Sequence, residues 1–411
     1  MIQICDSKNC TGCQACRVVC RRDAITMIDN EKGFWYPVVN ADKCIKCGLC
    51  SNICPANSIT NEINSSQPNV LAGWSKEATI RKTTTSGGIA YVLSRYIIEQ
   101  RGGVVFGVIT YNTHAIHVLV DNLSDLERLK GSKYLQSDVR NTYLQVKESL
   151  KQGKTVLYTG TPCQIAALKN IVGTNQDNLY TLDIVCHGVP SYKVYDRHLS
   201  ELTLKEGSRI VDVKFRQKCP TQFTSASIYE LSDGRKVYGS MYLDPFYCAF
   251  VDNYCLRESC YHCKYATTTR TGDITLSDYW HFRPKSFRFA GFKKGVSMVM
   301  INTTKGEALI KAIRKSIKLT NGDLNTAVSG NRNLSAPQIK PCKCDDFWTD
   351  FLSGETMAEL AKKYFPPKAL LYEKQNKRFI LVTKMWIYIL LDQLGLSAIH
   401  SKVKYITKKS R

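Results

Sequence analysis

Nowhere in its 411 residues does the chain contain a run of about 18 apolar residues, the length a membrane-crossing helix requires. Nor does it open on a basic segment followed by an apolar core, since it starts Met1-Ile2-Gln3-Ile4-Cys5-Asp6. The expectation is a cytoplasmic protein with reduced thiols. Acidic residues are in short supply: 35 stand against 57 Lys and Arg, a formal net charge of +22. No aromatic–basic recognition run accompanies that charge, so specific nucleic-acid binding is not expected. Attraction to an acidic partner or to an anionic membrane surface stays open.

Cysteine is the residue in excess, with 18. Disulfide frameworks belong to small secreted chains, whereas a long intracellular chain uses thiols for metals or catalysis. Cys10, Cys13, Cys16 and Cys20 follow the spacing C-x-x-C-x-x-C-x-x-x-C; Cys44, Cys47, Cys50 and Cys54 repeat it, and Pro55 follows the last. This is the run of bacterial two-cluster ferredoxins, where each motif gives three thiolates to one 4Fe-4S cluster and its fourth to the other. Cys10, Cys13, Cys16 and Cys54 are therefore expected to hold one cluster, and Cys44, Cys47, Cys50 and Cys20 the second. Zinc also favours C-x-x-C pairs, but it needs four ligands and leaves the third cysteine of each motif unexplained. Arg21 stands where proline often follows such a motif, which loosens the turn without removing a ligand. Cys5 lies outside both motifs and reads as a passive thiol.

Residues 1–62 read as a bacterial ferredoxin-like domain, and 63–80, with Ser65-Ser66-Gln67-Pro68, as a linker. Helix and strand patterns alternate over 81–345. Ile89, Val92, Leu93, Tyr96 and Ile97 share a helical face after a Thr- and Gly-rich loop, Gly102-Gly103 stops that helix, and 104–110 is a buried-strand run. Helices are expected over 138–152 and 162–170, with strands over 155–160 and 179–185. Ser232-Asp233-Gly234 signals a hairpin joining 225–231 to 235–241. Strands at 274–276 and 296–301 and a helix at 307–317 complete the pattern. The expected fold class is α+β or α/β: a ferredoxin-like domain, a mixed α/β core, and a basic helical tail over 346–411. From residue 361 on, twelve Lys and Arg face only Glu373 and Asp392. The apolar stretch 379–391 within that tail either docks on the core or makes a peripheral membrane contact.

The later cysteines are scattered. Cys163 and Cys186 each fall just past the carboxyl end of an expected strand, where ligands collect in α/β sheets, and Cys260 and Cys263 form a C-x-x-C pair. Together they suggest a four-cysteine site, with Cys255 as a rival ligand. Six segments then occur in order: Thr85-Ser86-Gly87-Gly88, Gly131 to Ser137, Thr159 to Gln164, Cys186 to Pro190, Arg257 to Cys263, and Gly272 to Trp280. Jointly they resemble the coenzyme F420 hydrogenase/dehydrogenase beta-subunit family over roughly residues 80–320.

The resemblance implies an FAD-binding core with a third 4Fe-4S cluster on Cys163, Cys186, Cys260 and Cys263. It implies flavin contacts at Thr85, Ser86, Gly87, Gly88, Ser132, Lys133, Tyr134, Gln136, Ser137, Thr159, Gly160, Thr161 and Gln164, with Arg270, Asp273 and Asp278 nearby. Those three charged residues also suit a structural ion pair. Backbone N–H groups at a Gly-rich helix start bind pyrophosphate, and Lys133 suits negative charge on a reduced flavin. His187 and His262, beside expected ligands, suit potential tuning or proton shuttling. The catalytic candidates are Lys133 and His187.

A flavin exchanges two electrons with an organic partner and releases them singly to cubane clusters. The expected function is an oxidoreductase passing electrons between a low-potential carrier, of ferredoxin or deazaflavin type, and an organic substrate. The alternative is a non-catalytic electron-transfer subunit working with a redox partner protein. The nickel-binding C-x-x-C pairs of a hydrogenase large subunit are missing, so hydrogen activation would need another chain.

Overall fold

The computed structural model describes residues 2–57, 68–174, 176–218, 225–240, 244–284 and 294–365. The apolar stretch 379–391 and the basic end of the chain lie outside the described residues. Packing divides the chain into two compact units, Met1–Lys193 with Cys255–Lys340, and Val194–Tyr254 with Pro341–Arg411.

In chain order the described strands are β1 (Ile25–Asp29), β2 (Trp35–Val39), β3 (Asn69–Ser75), β4 (Val104–Tyr111), β5 (His114–Val120), β6 (Val156–Gly160), β7 (Leu179–Ile184), β8 (Ile210–Lys218), β9 (Ser225–Leu231), β10 (Lys236–Ser240), β11 (Ile274–Asp278), β12 (Ser297–Ile301) and β13 (Ile317–Asn321). The first unit holds the antiparallel β1–β2 hairpin and an eight-stranded mixed sheet in the order β13-β3-β12-β11-β7-β6-β4-β5. Its centre is parallel, β4 beside β6, β6 beside β7 and β7 beside β11. β5, β12, β3 and β13 join antiparallel. The second unit holds the antiparallel sheet β10-β9-β8 and the helices Pro245–Val251, Cys344–Ser353 and Met357–Tyr364.

Side chains alternate across the central strands, as the pleat requires. Val105 and Leu157 face one side and pack on Ile89, Leu93 and Ile97 of the helix Ile89–Arg101. Val104, Phe106, Val156 and Tyr158 face the other and meet Tyr143, Val146, Ile165 and Leu168 from the helices Thr142–Lys151 and Pro162–Val172. Each such fully buried aliphatic or aromatic side chain contributes about 1.5–3 kcal/mol. Cys13, Ala15, Val18 and Ile53 belong to this same cluster. The amino-terminal cysteine region therefore shares a core with the sheet.

The expected divisions at 62, 80 and 345 differ from this packing. Val70, Ala72 and Trp74 are buried, and β3, inside the expected linker, lies between β12 and β13. The second unit is built around 194–254, which sequence patterns left within the core. Elsewhere the helix expected from 138 starts at Thr142, because the backbone of Asp138 pairs with Ala115 and His117 of β5. The helix expected to 317 ends at Ala312, and Ile317 and Leu319 instead alternate inward along β13. The hairpin is as expected, β9 opposite β10. Among the described residues no helix is long and apolar enough to cross a membrane.

Candidate iron–sulfur and flavin site

The loop from Cys10 to Cys16 turns back on itself through left-handed Gly12 and Gln14, bringing its thiols to one side. A cavity in the first unit is lined by Cys10, Cys13 and Cys16 and also by Cys54, from the end of the second motif. All four are buried. The fold thus brings Cys54 to the three cysteines of the first motif. Of the remaining set, Cys20 and Cys50 pack against the same apolar residues, Ile4 and Ile25. Burial raises the Cys50 thiol, and Cys44 and Cys47 lie close enough to add repulsion. Cys47 is exposed, so the second set stands at the surface while the first is enclosed.

Cys5 is less passive than expected. The Ile4 carbonyl accepts from Ser51 Oγ at 3.1 Å and Asn57 Nδ2 at 2.8 Å, which holds Cys5 against the first cavity. Its thiol hydrogen-bonds Cys10 and Cys54; this raises its own pKa strongly and lowers theirs to about 6 and about 7.

A second enclosed cavity is lined by Cys163, Cys186, Cys260 and Cys263, together with Thr11 from the first cysteine motif. Cys163 sits in the first turn of Pro162–Val172, fixed by a capping box between Thr161 and Gln164, with Thr161 Oγ1 3.2 Å from its sulfur. Cys186 follows β7, and Cys260 and Cys263 come from the turn at Glu258–Tyr261. Cys255 does not line the cavity. Burial pushes Cys260 up to about 12 and raises Cys163, Cys186 and Cys263. Four desolvated thiols facing one space stay protonated unless a cationic metal core draws off their protons. Tyr265 adds a second sign of fit: its hydroxyl is buried against the same cavity with no hydrogen-bond partner, a donor suited to a cluster sulfur. Among the described residues no group of three or more His, Cys, Asp or Glu side chains already stands in metal-binding geometry; the ligand sets follow from the shared cavities and the spacing.

The two cavities meet at Thr11, which lines both and whose hydroxyl hydrogen-bonds the Cys163 thiol. Cys13 and Cys163 are near enough that each thiol's charge raises others in the group.

The expected flavin residues divide in two. Ser132 Oγ meets Thr85 Oγ1 at 3.3 Å, and Gly88 begins the helix Ile89–Arg101 in a left-handed conformation without a side-chain cap. The others hold the surrounding loops. Ser86 Oγ donates to the Val296 carbonyl at 2.9 Å, and the Gly87 N–H donates to Ser297 Oγ at 3.0 Å. Lys133 Nζ donates to the carbonyls of Arg128, Leu129, Lys130 and Gly131, the shortest at 2.8 Å. Tyr134 lies half-buried beside it. Gln136 donates to the Thr11 carbonyl at 2.8 Å, and Gln164 reaches Ser137 Oγ at 3.0 Å. Thr159 Oγ1 caps the Phe106 carbonyl at 3.1 Å, and Gly160 follows at the end of β6.

Arg270, Asp273 and Asp278 do not pair with one another. Arg270 lines the second cavity and makes a buried ion pair with Asp183 at 3.3 Å. Asp273 accepts from Thr181 and Thr303, and Asp278 closes β11. Arg270 is taken up by the β7 carboxylate, and Asp273 by the hydroxyls of Thr181 and Thr303. His187 lines the second cavity, its Nδ1 3.0 Å from Gln338 Nε2. His262 is exposed and faces Glu258 at 3.6 Å, away from the cavity lining. Sequence patterns gave Thr11, Arg257 and Tyr265 no role; the signal available was their place inside or beside cysteine motifs.

Residues 153–326 match the family model for the carboxyl-terminal part of the coenzyme F420 hydrogenase/dehydrogenase beta subunit. Residues 9–58 match that of the 4Fe-4S dicluster domain. An uncharacterized polyferredoxin-like protein of Methanocaldococcus jannaschii is 37% identical over 67 residues, 14% of this chain; the chain spans 40% of that relative's length. Among solved structures, a chain of the F420-reducing [NiFe] hydrogenase complex from Methanosarcina barkeri, studied by xenon derivatization, is similar at 16% identity and TM-score 0.43, over 67% of this chain and 93% of that one. The chain thus carries, in order, a match to the 4Fe-4S dicluster domain over residues 9–58 and a match to the carboxyl-terminal part of the coenzyme F420 hydrogenase/dehydrogenase beta subunit over residues 153–326.

Proposed function

We propose that the chain is an iron–sulfur flavoprotein oxidoreductase that moves electrons between a low-potential carrier, of ferredoxin or deazaflavin type, and an organic substrate. The observation that carries this is the meeting of two thiol-lined cavities at Thr11. A cluster on Cys10, Cys13, Cys16 and Cys54 would stand next to one on Cys163, Cys186, Cys260 and Cys263. The exposed set around Cys47 would take electrons from outside. Thr85, Ser132 and the uncapped helix start at Ile89 support FAD at the far end of the relay. When bound, the flavin supplies conversion between single electrons and an electron pair. The chain's own residues hold the carriers and keep water from the inner two thiol sets. His187, in the second cavity, is the candidate for proton handling there.

Anaerobic purification followed by iron, acid-labile sulfide and FAD analysis tests this. Twelve irons per chain with one FAD is the expected result for three 4Fe-4S clusters; a colourless, iron-free chain after reconstitution sinks it. The family description names a beta subunit, which favours a second reading: an electron-transfer subunit feeding a separate catalytic chain. Steady turnover of the isolated chain with reduced deazaflavin, nicotinamide or ferredoxin as donor argues for the enzyme. Reduction only within a purified complex argues for the electron-transfer role.

A further inference from the structure

Arg257 stands three residues before Cys260, and its side chain reaches back to the first cysteine motif. It has no exposed surface. Nε donates to the Cys10 carbonyl at 2.7 Å, and Nη2 lies 3.8 Å from the Cys10 sulfur. Nη2 also donates to the Trp35 carbonyl at 2.5 Å, and Nη1 lies 3.5 Å from Gln136 Oε1. The ring of Tyr36 lies 4.5 Å from the guanidinium carbon. On the main chain, the Arg257 carbonyl accepts from the N–H of Cys260 at 2.9 Å. Gly12 permits this approach, because a Cβ there would sit 2.8 Å from Nη1.

Among the described residues no carboxylate pairs with Arg257. A guanidinium stays protonated even when buried, and an unpaired buried cation is costly. The ionisable group its side chain hydrogen-bonds is the Cys10 thiol. A cubane with four thiolate ligands supplies that negative charge and gains one more on taking up an electron, so a fixed cation at Cys10 favours the reduced cluster. We propose that Arg257 is the resident counter-charge of the buried amino-terminal cluster and raises its reduction potential. One electron arrives from the carrier, and the step requires no proton. This rests on the iron–sulfur relay proposed above.

The test is a potentiometric titration of the reconstituted full chain, followed by electron paramagnetic resonance. The wave lost in Cys54→Ala identifies the buried cluster. In Arg257→Met that wave is expected to move down by at least 59 mV, a tenfold change in the reduced-to-oxidised ratio for one electron. Arg257→Lys keeps the charge and is expected to return most of the shift. Gln136→Glu sets a carboxylate against Nη1 and leaves the Cys10 and Trp35 contacts in place; it is expected to lower the same wave. It decides the matter alone if Arg257→Met does not take up iron. Full iron content with the wave unmoved in these variants overturns the role of Arg257. A parent chain that takes up no iron overturns the relay itself.

Discussion

A buried polar atom without a partner has a reason or a cost, and Tyr265 and His117 show the two cases. The Tyr265 hydroxyl has no hydrogen-bond partner and faces the second thiol cavity. Tyr265→Phe is expected to leave the urea midpoint of the metal-free chain unchanged or slightly raised, since no bond within the protein is lost. In the loaded chain it should lower the potential of the cluster proposed on Cys163, Cys186, Cys260 and Cys263, read by redox titration; a destabilised metal-free chain counts against the assignment. His117, on β5, stacks on Tyr158 and lies 2.9 Å from the Thr159 carbonyl through Nε2, while its buried Nδ1 has no partner among the described residues. Burial drives its pKa from 6.5 down to about 4. The unfolded chain thus binds a proton below pH 6.5 that the folded chain refuses until about pH 4. Stability at His117 is therefore present above 6.5 and falls across that window, by up to roughly 3 kcal/mol. Urea unfolding between pH 7 and 4 should show a slope that His117→Phe flattens.

Between elements, the buried Arg270–Asp183 pair fastens the segment before β11 to β7. Asp183 Oδ2 also accepts from Thr271 Oγ1 at 2.9 Å and the Gly272 N–H at 3.0 Å. Arg270→Met strands the carboxylate and is expected to cost about 3–5 kcal/mol, whereas replacing both partners by apolar residues of similar size costs much less. Equilibrium unfolding of the single and double variants checks this; single losses that simply add up in the double variant would show that the pair is not coupled. Strand and helix placement was largely legible at this scale wherever period and stop signals agreed, as in Ile89–Arg101, ended by left-handed Gly102. It failed where a backbone partner far along the chain decided: β5 took Asp138 out of a helix, and β12 and β13 turned an apparent linker into β3.

Across the molecule, exposure separates the two amino-terminal thiol sets. Cys47 is open to solvent, Ile45 is 65% exposed beside it, and Lys43 and Lys46 flank it. With a chain of net charge +22, this edge suits an acidic one-electron carrier that binds fast at low salt. Lys43→Glu with Lys46→Glu is expected to slow reduction by an acidic ferredoxin several-fold at low ionic strength and to abolish most of the salt dependence. Reduction by dithionite, a small reagent needing no docking face, should be unaffected. Stopped-flow absorbance separates the two; equal slowing with both reductants removes the docking role.

The chain's own residue order determined the ligand spacing: two repeated cysteine motifs carry their cluster type in local distances, because a cubane needs thiolates a few ångströms apart. It also set the period of the central strands and the helices that cover them. Only the tertiary structure decided which distant residues complete each site. Cys54 crosses to Cys10, Thr11 joins two cavities, and Arg257 reaches Cys10 across 247 positions. Such contacts arise from the folding of long loops onto one sheet edge, and no local periodicity encodes them.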